Sequence, residues 1–138
     1  MSFKGVNAAL MFAYSELGLG LPTAYEGVSF EPASGADWAA VFVLPAINEP
    51  ITLGIGGEDE EEGILQIDFN VPEGDSTAGL LGYADTVQSV MVAGQSFTQN
   101  TTSVYIRNVD RTNIRAVDGW LRITLNVIWY SRYTRATI

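Results

Sequence analysis

The side chains that most proton-transfer and thiol chemistry requires are missing from this chain. It contains no His and no Cys, and Lys4 is its only lysine. Without imidazoles and thiolates, the usual nucleophile triads and zinc sites cannot be built, and no side chain ordinarily titrates near neutral pH. Carboxylates are the main chemical resource that remains, because Asp and Glu together number 16.

Five of these carboxylates are adjacent and form an acidic run. The run consists of Glu58, Asp59, Glu60, Glu61 and Glu62. Neighbouring carboxylates repel one another and resist burial, so the pattern predicts an exposed loop at the tip of a hairpin. Three interpretations are open: a solvated loop, a negative patch placed there for a function, and a cation site. The cation site is the weakest, because the spaced ligands of an EF-hand loop are absent.

Two further features could be mistaken for catalytic or nucleotide sites. Glycines crowd residues 54–57, but acids rather than a helix follow them, so the segment favours a hairpin and not a phosphate loop. Asp68 is the best single candidate for acid–base work, yet its alternation with Gln66 and Asn70 is typical of the polar face of a strand. We therefore expect no enzymatic activity, no cofactor and no metal.

The C-terminal region combines tyrosine with arginine, a composition enriched where proteins touch. Four of the seven basic residues lie within residues 115–135, and the acidic run is predicted at the opposite end of the sheet. A subunit segregated in this way could pair head to tail in a ring. Ordinary sheet aromatics are the alternative interpretation. The candidate subunit-interface residues are Arg122, Tyr130, Arg132, Tyr133 and Arg135.

Periodicity predicts the elements that must position these residues. Apolar residues recur every three or four positions over 3–17 and 76–92, which predicts two amphipathic helices. Alternating apolar residues predict strands at 38–44, 64–71 and 121–129. Shorter strands are predicted at 24–30, 51–55, 96–97 and 103–109, with a break between Pro45 and Pro50. The order predicts an α+β fold: one mainly antiparallel or mixed sheet with both helices packed on one face.

Length and charge narrow the class of protein. A chain of 138 residues fits a single domain spanning 1–138. A net charge of −9 disfavours a grip on nucleic acid, which needs clustered Lys and Arg. No apolar run reaches the ~18 residues of a membrane span, and no signal-peptide pattern is evident. We expect a cytosolic protein with no membrane partner.

Three segments together resemble a known family. They are Pro-Thr-Ala-Tyr-Glu-Gly-Val-Ser-Phe-Glu-Pro at 22–32, Gly-Ile-Leu-Gln-Ile-Asp at 63–68 leading to Pro-Glu-Gly at 72–74, and Asp-Gly-Trp at 118–120. In order and spacing they resemble the tail terminator proteins of long-tailed bacteriophages. The resemblance implies a ring, commonly of six subunits, at the head-proximal end of the tail tube. Such a ring stops tube polymerisation and meets the neck.

The resemblance also implies partners and a location. The partners would be further copies of the chain, the tail tube protein and a neck or connector protein, with DNA passing through the lumen without sequence-specific binding. The protein would be assembled in the host cytoplasm and reside in the virion. No catalytic residue carries over. The acidic run would then project toward the lumen or an axial partner. The alternatives are another neck, head–tail joining or tail-completion ring protein and, remotely, a small carboxylate-dependent enzyme.

Overall fold

The computed structural model describes residues 3–135, which form two helices and seven strands. In chain order the elements are α1 (Phe3–Ser15), β1 (Thr23–Tyr25), β2 (Trp38–Pro50), β3 (Glu58–Pro72), α2 (Ala78–Val90), β4 (Ser96–Gln99), β5 (Thr102–Arg111), β6 (Arg115–Val117) and β7 (Trp120–Thr134).

All strands join one mixed sheet. Its order is β1-β2-β3-β7-β5-β4, and β6 pairs with β7 just beyond the end of β5. The β1–β2 pair is parallel and every other pair is antiparallel. The two 15-residue strands β3 and β7 are paired along their whole length, so they form the axis of the sheet.

One face of this sheet carries both helices and the core. Strand residues alternate between faces, and the inward set of β3 and β7 packs against the apolar stripes of α1 and α2. The stripe of α1 includes Val6 and Leu10, and that of α2 includes Leu80 and Val87. The predicted α+β architecture is therefore confirmed. The buried inward residues of β3 and β7 are Leu65, Ile67, Phe69, Val71, Ile123, Leu125, Val127 and Trp129.

The predicted break in β2 is wrong. The strand runs through Pro45 to Pro50 because a register shift between Pro45 and Ile47 absorbs the irregularity. The backbone nitrogen of Pro45 faces the edge of β2 that has no neighbouring strand beyond Val41. The N–H that proline lacks would therefore not have paired with another strand. The strand predicted at 51–55 is also wrong. Those residues form a turn, in which Gly54 and Gly56 take positive φ values of 93° and 77°.

The acidic run is not the exposed loop that its charge predicts. All five acids lie inside β3, between the distal part of β2 and the end of β7. The true tip of the β2–β3 hairpin is the segment before them, residues 51–57, which we call the hairpin tip. The acidic run therefore does not form the loop that the cation-site interpretation requires.

Two smaller predictions also need correction. The strand expected over 24–30 is shorter, because the chain turns at Glu26 and Gly27, where Gly27 has φ of 74°. The short strand β6 was not predicted, since its three residues show no alternation. The helices were predicted to within two residues at each end.

Candidate interaction surfaces

Counter-charges hold the acidic run within the sheet. Glu60 lies opposite Arg132 on β7 and accepts hydrogen bonds from Arg132 Nε at 3.0 Å and from Arg107 Nη2 at 2.6 Å. Glu62 lies 3.5 Å from Arg107 Nε. The hydrogen bond to Glu60 raises the pKa of Arg132. Desolvation lowers it by less, so the pKa of Arg132 stays above its usual value. Acidic and basic residues were predicted to lie at opposite ends of the sheet. This prediction is wrong, because their side chains form ion pairs across the sheet.

An aromatic residue lies between these arginines. The Tyr130 ring stacks on Tyr105 with a centroid separation of 5.2 Å, and the Arg107 guanidinium carbon lies 4.1 Å from the Tyr130 centroid. Arg132 lies 5.4 Å from the same centroid. Cation–π contacts of this kind add to the ion pairs and fix the side chains in place. The outer face of the sheet here is a rigid, mixed-charge surface.

Glu61 points to the opposite face and is buried. Only 3% of this residue is exposed, and its Oε2 has no hydrogen-bond partner. Burial raises the pKa of the Glu61 carboxyl, since the charged form loses hydration without gaining a counter-charge. Gly63, next on this face, lies opposite Trp129, and a Cβ at Gly63 would come within 2.5 Å of the Leu44 carbonyl oxygen. The β2, β3 and β7 backbones therefore approach closely here.

Arg135 fastens the hairpin tip to the end of β7. Its guanidinium donates to the carbonyl oxygens of Thr52 and Gly54, each at 2.5 Å, and of Glu58 at 3.0 Å. It also pairs with Asp59 at 2.5 Å. A Cβ at position 57 would lie 2.3 Å from Arg135 Nη2, which explains the glycine there. Tyr133 acts nearby, because its hydroxyl donates to Asn48 Oδ1 at 2.9 Å.

The tip held in this way is apolar and exposed. Leu53 is 90% exposed and Ile55 is 88% exposed. The segment 51–57 has no charged side chain. The Thr52 hydroxyl accepts a hydrogen bond from Glu58 N–H at 2.6 Å, which closes the turn. Two large aliphatic side chains are thus displayed on a braced loop.

The free edge of β2 is protected against pairing with another strand. Beyond the short contact with β1, the outward N–H of Val43 donates to Glu26 Oε1 at 2.6 Å. Outward N–H groups alternate along a strand, so the next outward position is Pro45, which has no donor. Neither of these positions offers a free donor to an incoming strand.

A groove lies at the opposite side of the sheet. Strand β4 pairs with β5 only as far as Tyr105, which leaves the later part of β5 as a free edge beneath α2. The cavity there measures about 160 Å³. We call it the edge groove. Half of its lining residues are apolar and half are polar or charged: Leu81, Ala84, Val109 and Leu125, and Asp85, Gln88, Asp110 and Arg111.

Asp68, the best single acid–base candidate, is part of a buried network. Asp68 and Asn70 face away from the helices, yet they are only 6% and 0% exposed. Thr124 donates its hydroxyl to Asp68 at 2.6 Å, and Arg122 Nε donates to Asn70 at 2.7 Å. The polar face predicted for this end of β3 is therefore covered rather than solvated. These contacts brace β3 against β7.

A family model described as phage tail terminator protein matches residues 5–129. The chain belongs to the phage tail terminator family. The match confirms the family indicated by the three sequence segments, and it covers the hairpin tip and the edge groove. A structural role in a phage tail follows from membership.

The fold of this terminator family member recurs in solved structures. One solved structure aligns over 100% of this chain and 99% of its own with a TM-score of 0.75 and 17% identity. That likeness shows the shared fold alone. No curated protein matches the sequence. Within residues 3–135 neither helix is long and apolar enough to span a bilayer. The same residues contain no cluster of three acids that could hold a metal ion.

The candidate interface residues divide into two groups. Arg122 is partly buried in the Asp68 network. The other four lie around the N-terminal end of β3, which carries the acidic run: Tyr130, Arg132, Tyr133 and Arg135. Each makes contacts within its own subunit. The hairpin tip and the edge groove were missed as interaction surfaces. The alternation of Ile51, Leu53 and Ile55 was the available signal, but it was interpreted as a strand.

Proposed function

We propose that this chain is the subunit of a ring that closes the head-proximal end of a phage tail tube. The ring, of about six copies by analogy with such rings, stops tube polymerisation and joins the tube to the neck. It is assembled in the host cytoplasm and remains in the virion. The family match over residues 5–129 carries this proposal. The partners are further copies of the chain, the tail tube protein and a neck protein.

The subunit acts through contacts rather than catalysis. Family membership supports this, because terminators are structural tail proteins. The rigid distal end of the sheet also supports it, since Arg135 and Arg107 hold side chains in one arrangement before any partner arrives. A preformed surface loses less conformational entropy on binding than a mobile one.

A negative lumen would let DNA slide without gripping it. The net charge of −9 supports this role, because phosphates are repelled by carboxylates. The outward face of the acidic strand, with Glu58, Glu60 and Glu62, faces the lumen or an axial partner. Glu60 pairs with Arg107 and Arg132, and Glu62 pairs with Arg107, so Glu58 is the one outward acid of this face without an ion pair among the described residues.

Removing the gene from a phage that encodes it tests the terminator role. The expected result is overlong or uncapped tails in electron micrographs, restored to uniform length when the chain is supplied in trans. Finished tails of normal length that fail to attach to heads would contradict termination. That result would instead assign the chain to head–tail joining, the second candidate.

Neutralising Glu58 and Glu62, the outward acids of β3 that flank Glu60, tests the electrostatic part of the proposal. We expect Glu58→Gln with Glu62→Gln to lower infectivity while leaving tail length normal, since assembly would proceed and DNA passage would suffer. A matched control neutralises Glu16 and Glu31, two exposed acids away from β3. Equal infectivity of both double variants would contradict a lumen or axial role for this face.

A further inference from the structure

The hairpin tip has the properties of a docking element. Leu53 and Ile55 are more exposed than any other large apolar side chains of residues 3–135, at 90% and 88%. Hydrogen bonds from Arg135 and to the Thr52 hydroxyl nevertheless tie the loop to the end of β7 and to the start of β3. Fixed apolar side chains in water mark an interaction site, because a partner would remove their surface from water at little ordering cost.

The edge groove has complementary properties. Its volume is about 160 Å³ and its lining includes Leu81, Val109 and Leu125. A volume of about 150 Å³ is enough for a benzene ring, so the groove has room for one branched aliphatic side chain, which would lie against the apolar part of the lining. Asp85 and Asp110 stand at its rim. An uncharged loop can approach these acids, whereas an acidic segment would be repelled.

The tip and the groove of one subunit cannot meet each other. Glu58, at the base of the tip, pairs with Thr134, while Leu125 of the groove lies nine positions earlier on β7. At ~3.3 Å per residue the separation along this strand is about 30 Å. A knob and a hole on different parts of one subunit form a head-to-tail contact, which closes into a ring when the rotation permits.

We propose that the hairpin tip of one copy docks into the edge groove of the next copy, with Leu53 or Ile55 packing against Leu81 in the groove. This inference rests on the proposed ring. It differs from strand addition, which Glu26 and Pro45 oppose at the free edge of β2. Arg135 and Gly57 are positioning residues for the tip, and Leu81 is a contact residue of the groove.

Complementary variants test the contact. The tip variant carries Leu53→Asp and Ile55→Asp. The groove variant carries Leu81→Glu and Gln88→Glu, two exposed positions whose replacement should leave the fold intact. Sedimentation velocity should show that each variant alone associates at least tenfold more weakly than the unmodified chain. An equimolar mixture should form a 1:1 dimer, because it contains one intact tip and one intact groove.

Controls separate this inference from the proposed function. Val28→Asp, which charges an exposed apolar residue elsewhere, should leave association unchanged. A mixture of the two variants that stays monomeric would overturn the tip-to-groove contact, as would a tip variant that assembles normally. If the variants assemble normally and the ring persists, the proposed function survives. If the unmodified chain stays monomeric even at the highest concentration and no ring forms on tail tubes, both the proposed ring and the tip-to-groove contact are wrong.

Cross-linking gives a second readout that does not depend on weakened assembly. The chain contains no Cys, so introduced thiols are unique. A chain carrying both Leu53→Cys and Leu81→Cys should yield a ladder of covalent oligomers when assembled and oxidised. A chain with either change alone can yield dimers at most. Absence of the ladder in an assembly of normal mass would also overturn the proposal.

Discussion

Glu61 is a buried carboxyl whose ionisation couples the stability of this domain to pH. Its carboxyl is buried without a partner, and burial raises its pKa above the ordinary value. An acid with a raised pKa in the folded state binds its proton more tightly folded than unfolded. Its contribution to stability is therefore present below the unfolded pKa and is lost as pH rises through the folded pKa.

Glu61→Gln should consequently raise the free energy of unfolding at pH 7, because the amide needs no ionisation. The difference from the unmodified chain should shrink toward pH 4, where the native carboxyl is protonated. Urea unfolding at several pH values measures this. Glu49→Gln, an exposed acid on the neighbouring strand, is the control and should show no such trend. Equal stability of Glu61→Gln and the unmodified chain at pH 7 would show that the carboxylate has a partner in solution.

Gly63 is constrained by space rather than by backbone conformation. A Cβ there would lie 2.5 Å from the Leu44 carbonyl oxygen and 2.9 Å from the Trp129 ring. Gly63→Ala should lower the free energy of unfolding by roughly 1–3 kcal/mol, the usual cost of overpacking. Gly82→Ala, on the exposed side of α2 with nothing within 4 Å, should instead stabilise by roughly 0.5–1 kcal/mol. Thermal unfolding of both variants checks the contrast.

At the scale of elements, the hairpin tip owes its order to the residue that follows β7. Arg135→Lys keeps the charge but loses the planar fork that reaches the Thr52 and Gly54 carbonyls together. We expect amide hydrogen exchange of residues 51–57 to accelerate at least several-fold, with little change in melting temperature, because the tip contributes nothing to the core. Arg111→Lys is the control. Unchanged exchange at the tip would show that the turn is stable without the clamp.

The elements predicted correctly are those whose burial has a local signature. Leu65, Ile67, Phe69 and Val71 alternate because one face of β3 meets the core, and alternation is visible in sequence. The acidic run was misassigned because its counter-charges come from Arg107, Arg132 and Arg135, between 45 and 76 positions away in the ion pairs observed. No local rule identifies such partners. The break predicted at Pro45 is wrong for the same reason. Strand β2 tolerates this proline because the proline lies at a free edge, and only the order of the strands in the sheet defines that edge.

At the scale of the whole molecule, the charges oppose assembly rather than drive it. Each subunit carries −9, and three of its arginines, Arg107, Arg132 and Arg135, are engaged with acids of the same chain. Subunits that approach one another therefore repel over the Debye length, which is ~10 Å at 0.1 M salt and ~3 Å at 1 M. The contact proposed between the tip and the edge groove gains nothing from charge attraction, because the tip is uncharged, and screening does not weaken it.

Self-association should therefore be as strong or stronger at 0.5 M NaCl than at 0.05 M, measured as the dissociation constant from sedimentation equilibrium. Neutralising three exposed acids that lie outside both surfaces, Glu16, Glu31 and Glu73, should flatten the salt dependence, because less repulsion remains to be screened. Association that weakens steeply with salt would instead mean that opposite charges meet between subunits. In that case Arg132 and its neighbours on β7 would have to exchange their partners within the chain for acids of another copy.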